Sequence, residues 1–165
     1  MLRTIAFLLL APMLQVTEPQ ALGVLHHLDG DSLKPIERVS AKLKSSSKAL
    51  GFGGGSVQIE IPGDKSKVRL TSNQKQDFVV QLPNGADPAK FLLFKFEPSK
   101  GKRQLQIAKF STFGKTSTGM GEIATTVMKY GQSSYKIAPS EQLPSGEYGF
   151  ATPGSSEVIF LFGID

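Results

Sequence analysis

The segment Val57-Gln58-Ile59-Glu60-Ile61 alternates apolar and polar residues, and Val68 and Leu70 continue this alternation after a short interruption. A period of two is typical of a β-strand that buries one face. The residues between the two runs, 62–66, read Pro-Gly-Asp-Lys-Ser, which is the composition of a tight turn. The pattern predicts a β-hairpin over residues 57–70.

The same alternation recurs toward the C-terminus. Residues 76–82 place Phe78, Val80 and Leu82 on one face, and residues 90–97 are apolar on both faces in their middle, as in a central strand. Residues 103–110 are expected to pair with that strand through a turn at 98–102. Further short strands are predicted at 122–130, 135–138, 147–152 and 157–162. The spacing predicts an all-β fold, an antiparallel immunoglobulin-like β-sandwich of about seven to ten strands.

The N-terminal part of this region forms a second predicted hairpin. Residues 24–28 and 33–39 flank Asp29-Gly30-Asp31-Ser32, a turn of the Asp-Gly kind. Residues 45–56 are rich in serine and glycine and are expected to be a linker. We therefore expect a hairpin over 24–44 packed on the sandwich edge, the linker, and a sandwich domain over 57–165; a hairpin that forms a separate flap is the alternative.

Residues 1–23 have the pattern of an export signal. Arg3 precedes an apolar run at residues 5–14, and small residues follow, so cleavage is expected after Ala21 or after Gly23. The apolar run is well short of the roughly 20 residues that cross a bilayer, which disfavours a transmembrane anchor. With no cysteine, the chain has no lipobox cysteine, and we expect no lipid anchor after cleavage. We expect an exported bacterial protein, with periplasmic and extracellular destinations both open.

The composition excludes several kinds of chemistry. The 165 residues include no Cys, no Trp and two adjacent histidines, His26 and His27. Thiol nucleophiles and cysteine zinc sites are therefore excluded, and a histidine metal cage or a Ser-His-Asp site has almost nothing to build on. We expect no cofactor, no metal and no catalytic residues. The alternative is a hydrolase acting on envelope polysaccharide or peptide, which requires a cleft lined by paired carboxylates.

The segment Leu143-Pro144-Ser145-Gly146-Glu147-Tyr148 resembles the corner found in immunoglobulin-like and related sandwiches. In that corner a tyrosine at the start of a late strand hydrogen-bonds back to the preceding connection. We therefore expect Leu143, Gly146 and Tyr148 to have a structural role, with Tyr148 as a corner clamp.

A set of short motifs in a fixed order covers nearly the whole chain after residue 25. They are Leu28-Asp29, Leu33-Lys34-Pro35-Ile36-Glu37, Gly51-Phe52-Gly53-Gly54, Pro62-Gly63-x-x-Ser66, Asp87-Pro88, Lys102-Arg103, Leu143-Pro144-x-Gly146-Glu147-Tyr148 and Phe162-Gly163-Ile164-Asp165. Their order resembles that of uncharacterised exported bacterial β-sandwich proteins, in which a Tyr often stands at the position of His27. The resemblance implies export and a β-fold, and it carries no activity.

Positive charge is concentrated around the turn at 98–102. The chain has 19 Lys and Arg against 14 Asp and Glu, a net charge of +5. The candidate basic patch consists of Lys95, Lys100, Lys102, Arg103 and Lys109, which could hold an envelope component or an acidic protein surface. Nucleic acid is disfavoured because an exported protein meets little of it and because the chain has no aromatic-interleaved basic stripe of the kind that stacks bases. The sequence therefore predicts a non-enzymatic binding or structural module of the bacterial envelope and leaves its oligomeric state open.

Overall fold

Fifteen β-strands and one 3-10 turn, at Pro88–Lys90, form in the part of the chain that the structure describes. The structure is a computed structural model, and it describes residues 16–47, 55–110, 116–118, 121–152 and 155–165. The strands are β1 (Leu25–Asp29), β2 (Ser32–Pro35), β3 (Glu37–Ser40), β4 (Lys42–Ser47), β5 (Gly55–Pro62), β6 (Arg69–Leu70), β7 (Phe78–Gln81), β8 (Leu92–Ser99), β9 (Lys102–Phe110), β10 (Thr116–Thr118), β11 (Glu122–Ile123), β12 (Thr125–Lys129), β13 (Ser134–Pro139), β14 (Gly146–Thr152) and β15 (Ser155–Ile164).

The strands form two sheets that pack on each other. The smaller sheet has the order β12-β13-β7-β1-β2, and the larger follows the path β3-β15-β14-β8-β9-β5-β4, with β10, β11 and β6 attached to β9, β8 and β15. The predicted all-β antiparallel sandwich is confirmed. The strand count exceeds the predicted seven to ten because predicted strands are divided, as at Ile36 between β2 and β3, and because β4 and β10 form where no strand was predicted.

The larger sheet folds over itself, so β14, β15 and the first residues of β8, 92–94, form a middle layer that packs against apolar residues on both faces. In β15, Phe160 and Phe162 pack with residues of the small sheet such as Phe78, whereas Ile159 and Leu161 pack with Ile59, Ile61 and Leu105 of β5 and β9. Successive residues of a strand point to opposite faces, so an unbroken apolar run places one side chain after another in two separate cores. The prediction of a central strand over residues 90–97 agrees with β8.

The N-terminal segment contributes strands to both sheets. β1 and β2 pair through the Asp29–Ser32 turn, and β1 also pairs with β7 inside the small sheet. After the buried Ile36 the chain crosses to the larger sheet, where β3 pairs with β15 and β4 pairs with β5. Residues 45–47 and 55–56, which were expected to be part of a linker, therefore lie in strands. Residues 48–54 lie outside the described residues.

The predicted hairpin over residues 57–70 is wrong. β5 pairs with β4 and β9, and the short β6 pairs in parallel with the end of β15. Residues 62–66 do not form the predicted hairpin turn, because their backbone amides donate to groups from distant elements. Gly63 N donates to Gly101 O at 2.9 Å, and Ser66 N donates to the Glu147 carboxylate at 2.7 Å. These contacts direct the chain across the sandwich end instead of back along β5.

Candidate functional site

The tip of the β8–β9 hairpin presents the lysines of the candidate patch. Lys100 and Gly101 both have positive φ, 51° and 77°, as in the two-residue turns that match the twist of a hairpin. Lys95 and Lys100 are exposed, and Lys102 is half-exposed. Lys102 Nζ donates to Glu60 Oε2 at 2.9 Å. The backbone of Lys109 lies in β9, and its side chain is outside the part of the chain that the structure describes.

Arg103 is not a surface cation, which corrects the prediction that it belongs to the basic patch. Its side chain is 2% exposed. Arg103 is the neighbour of Lys102 along β9 and therefore points to the opposite face of the sheet, and its partner across the ladder is the buried Ile61. The linear cluster of positive residues is thus divided by strand alternation into an outward lysine and an inward arginine.

Arg103 lies in a cluster of charges carried by strands of the larger sheet and by the residue that follows β15, and all of them except the exposed Asp165 are buried or half-buried. We call it the buried charge cluster: Glu37, Arg69, Arg103, Glu147 and Asp165. Arg103 Nε donates to Gly63 O at 3.1 Å and Nη2 to Pro62 O at 3.3 Å. Its Nη1 donates to Glu37 Oε2 at 3.3 Å and lies 3.8 Å from Glu147 Oε2. The guanidinium is therefore surrounded by acceptors from three separate elements.

Arg69 links the other half of the buried charge cluster. It pairs with Glu147 through Nη1 and with Asp165 through Nη2, the latter at 2.5 Å. The hydrogen bond from Arg69 holds the pKa of Asp165 below its usual value. Burial raises the pKa of Glu37, but hydrogen bonds from Ser66, the Lys67 amide and Arg103 outweigh burial, so that this pKa also lies below its usual value. The lowered pKa values favour the charged form of the Glu37 and Asp165 carboxylates.

Five of the ordered motifs meet in this region. Glu37, Arg103, Glu147 and Asp165 each belong to a different motif, and Gly63 and Ser66 belong to a fifth; the fold brings all of them to one end of the sandwich. The Ser66 hydroxyl donates to Glu37 Oε2 at 2.7 Å. Among the described residues, no buried side-chain nitrogen or oxygen lacks a hydrogen-bond partner. The buried charge cluster therefore has a structural role, since its acids and arginines hydrogen-bond to one another and to Ser66.

Sequence reasoning missed this cluster because the five charges are far apart along the chain. The positions of Arg103 and Glu147 within strands could have indicated that these charges are buried. Arg103 follows the alternation of inward residues in β9, and Glu147 lies between Gly146 and the corner Tyr148. A charged residue at an inward position of a strand predicts a buried partner of opposite charge.

The outer face of β4, β5 and β9 carries a polar array that is centred on Glu60. Its carboxylate accepts hydrogen bonds from Lys102, Lys44, Gln58 and Gln104 at 2.9, 3.2, 3.0 and 3.3 Å. The hydrogen bond from Lys102 is the largest cause that lowers the pKa of Glu60. Glu97 on β8 lies opposite Gln104, so strand alternation places Glu97 and Lys95 on the continuation of this face.

We call this surface the lysine face: Lys42, Lys44, Lys95 and Lys102, with Lys100 at the tip and the carboxylates Glu60 and Glu97. The five lysines exceed the two carboxylates by three charges. Lys44 and Lys102 share one carboxylate and are 55% and 43% exposed. Of the five residues predicted for the basic patch, the lysine face contains Lys95, Lys100 and Lys102.

The corner at residues 143–148 has the geometry of a clamp. Tyr148 is buried, and its hydroxyl donates to Pro144 O at 2.9 Å. A Cβ at Gly146 would lie 3.2 Å from the Tyr148 ring and 3.3 Å from Lys95 Cε, so glycine allows both side chains to cross it. Leu143 is buried in the core, and its backbone N and O pair with the amide of Gln76 at 2.8 and 3.2 Å. Tyr148 therefore bonds back within the corner, and Leu143 joins the corner to the loop before β7.

A shallow depression of about 170 Å³ lies between residues 74–77 and 138–142. Its lining includes the carboxylates Asp77 and Glu141, and Asp77 pairs with Lys136 at 3.2 Å. The hydrolase alternative requires a cleft with two facing carboxylates. The ion pair engages one of the two acids in this depression, and the hydrolase alternative stays a prediction.

In the described ranges, no helix is long and apolar enough to span a membrane. Comparisons with models of protein families, with curated proteins and with solved structures found no match.

Proposed function

We propose that the protein is an exported, non-enzymatic binding or structural module of the bacterial cell envelope that contacts an anionic partner through the lysine face. The observation that carries the proposal is the convergence of Lys44 and Lys102 on the single carboxylate of Glu60. Two cations on one anion leave a positive charge that solvent or a ligand must balance. Lys100 adds a further exposed charge at the hairpin tip.

The shape of the lysine face favours an extended polyanion. It is built on neighbouring antiparallel strands, so its lysines lie in rows and not around a cavity. The amides of Gln58 and Gln104 lie between the lysines and add hydrogen-bonding groups. With no Trp in the chain, stacking of neutral sugars on indole rings is excluded, and charge is the main means of recognition. We infer a carboxylated or phosphorylated polymer as the partner.

The test is binding of the purified protein to polygalacturonate, with uncharged dextran as the reference polymer. The double variant Lys100→Gln/Lys102→Gln removes two charges from the lysine face. The matched control, Lys34→Gln/Lys129→Gln, removes two exposed lysines from β2 and β12 of the small sheet. Exposed ion pairs contribute little to stability, so both variants should fold.

We expect the wild-type protein and the control variant to bind polygalacturonate with an affinity that falls as salt rises, because surface charges are screened. The lysine-face variant should bind at least about tenfold more weakly, as a loss of two attractive charges predicts. Equal binding by the two double variants would overturn the assignment to this face. Absence of any salt-dependent binding by the wild-type protein would overturn the proposed partner class.

A further inference from the structure

The turn between β12 and β13 holds a carboxylate that comes from the N-terminal segment. Glu18 Oε1 accepts a hydrogen bond from Gln132 N at 2.7 Å. Glu18 Oε2 accepts from Ser133 N at 3.1 Å, Ser133 Oγ at 3.4 Å and Ser134 Oγ at 2.5 Å. Two backbone amides and two hydroxyls therefore surround one carboxylate, and the hydrogen bond from Ser134 is the largest cause that lowers the pKa of Glu18.

Gly131 provides the space for this carboxylate. A Cβ at Gly131 would overlap Glu18 Cδ and Oε1, although the φ of Gly131 lies outside the left-handed region. The residue is therefore free of the conformational requirement that selects glycine in many turns. Glu18 can approach the turn only because Gly131 has no side chain. The turn therefore has both the space and the donors to hold a carboxylate.

A second contact shows that the site receives an extended segment. Leu22 forms a parallel bridge with Gln81, and Gly23 N donates to Gln81 O at 2.8 Å. The Gln81 side chain in turn donates to Ser133 Oγ at 2.8 Å, which connects this backbone contact with the carboxylate site. Pro19, between the two contacts, is buried. The turn thus holds the carboxylate of a segment that also pairs through its backbone, a few residues further along the chain.

We propose that the turn at residues 130–134 is a binding site for acidic peptide segments, which Glu18 fills before processing and a Glu or Asp side chain of a partner fills afterwards. The inference rests on the proposed export, because Glu18 precedes both expected cleavage bonds, after Ala21 and after Gly23. Cleavage at either bond removes Glu18 and leaves the amides of Gln132 and Ser133 and the buried Ser134 hydroxyl for a new acceptor. Before cleavage, Glu18 of the same chain occupies the site and prevents a partner from binding there during export.

The first step of the test is an intact-mass measurement on protein that the native host has processed. A chain that begins at Leu22 or Val24 lacks Glu18. The processed protein is then titrated with a fluorescently labelled peptide of residues 16–23 and with the same peptide carrying Glu18→Gln. We expect binding of the acidic peptide and binding of the amide peptide at least about tenfold weaker, since hydrogen bonds to a charged acceptor are the stronger kind.

Variants of the turn at residues 130–134 assign the binding to this site. Gly131→Ala fills the space of the carboxylate and should abolish binding, and Ser134→Ala removes one donor and should weaken it. Gln132→Ala is the matched control, because it changes an exposed side chain next to the site and keeps the backbone amide that donates to Glu18. The thermal midpoints of the peptide-free variants show whether each one is folded.

Equal affinity for the two peptides, or undiminished binding by Gly131→Ala, would overturn the proposal. A mass that still includes Glu18 would also overturn it, since the segment would then be a permanent part of the fold. The polygalacturonate assay depends on lysines of the other sheet, so its result separates a failure of this site from a failure of the proposed function.

Discussion

Arg103 on β9 and Glu37 on β3 form an ion pair at 3.3 Å although 66 residues separate them in sequence. Both side chains are almost fully enclosed, with exposed fractions of 2% and 10%. The pair connects the edge strand β3 with β9, which belongs to the part of the larger sheet that packs against β15. Because Arg103 also donates to two backbone carbonyls, the charge is satisfied by several acceptors, as burial of an ion requires.

Replacement of Arg103 by Met should lower the free energy of unfolding by about 3–5 kcal/mol, because Glu37 and two carbonyls lose their buried partner. Urea unfolding at neutral pH measures this change. The matched control is Lys102→Met, one residue away on the outer face, where we expect little change because the Lys102 side chain is 43% exposed. Similar losses in the two variants would contradict the inward placement of Arg103.

We expect that the lack of a side chain at Gly163 is what leaves room for the Arg69 guanidinium. A Cβ at Gly163 would overlap Arg69 Nη1, so Gly163→Ala must displace the guanidinium from Glu147. We expect a loss of about 1–3 kcal/mol, typical of forced overpacking. In an Arg69→Ala background the same glycine substitution should cost clearly less, because the two residues are in contact. Urea unfolding of the four proteins measures this coupling, and additive effects would show that Arg69 does not occupy this position.

Glu37 should make the protein sensitive to acid. Its pKa in the folded protein lies below the ordinary value of about 4.3. A lowered folded-state pKa contributes stability that is fully present above the unfolded-state pKa and is lost as the pH falls toward the folded-state pKa. We therefore expect the free energy of unfolding to fall as the pH decreases below about 5.

The Glu37→Gln variant tests this assignment. It should be less stable than the wild-type protein at neutral pH and should lose less stability on acidification, as measured by urea unfolding across the acidic range. Glu122→Gln, an exposed residue of β11 outside the buried charge cluster, serves as the control and should keep the wild-type pH dependence. An unchanged slope in Glu37→Gln would refute the contribution of this carboxyl.

The fold class was predictable because strand burial leaves a local signal. Alternation in residues 57–61 corresponds to β5, and the two-sided apolar run at 90–97 corresponds to β8 in the middle layer. The Asp-Gly turn before Ser32 marks the β1–β2 hairpin, since turn chemistry is set by neighbouring residues. The pairing of β5 was not predictable in the same way, because neighbours in a sheet are chosen by contacts between distant segments.

The candidate sites depended even more on distant contacts. Lys102 and Arg103 look equivalent as a basic pair, yet one borders Glu60 on the surface and the other lies beside Glu37 in the interior. Gly131 and Glu18 are 113 positions apart, and nothing near either residue indicates that one accommodates the other.

The amino-acid sequence by itself determined the β-strands, the main turns and the excess of positive charge, because these follow from residue type and from a period of two along the chain. Only the tertiary structure decided which strands became neighbours, which charges were buried and which turn received a carboxylate. The reason is physical: the free energy of an ion pair or a hydrogen bond depends on burial and on partners, and both are set by segments that meet only when the sheets pack.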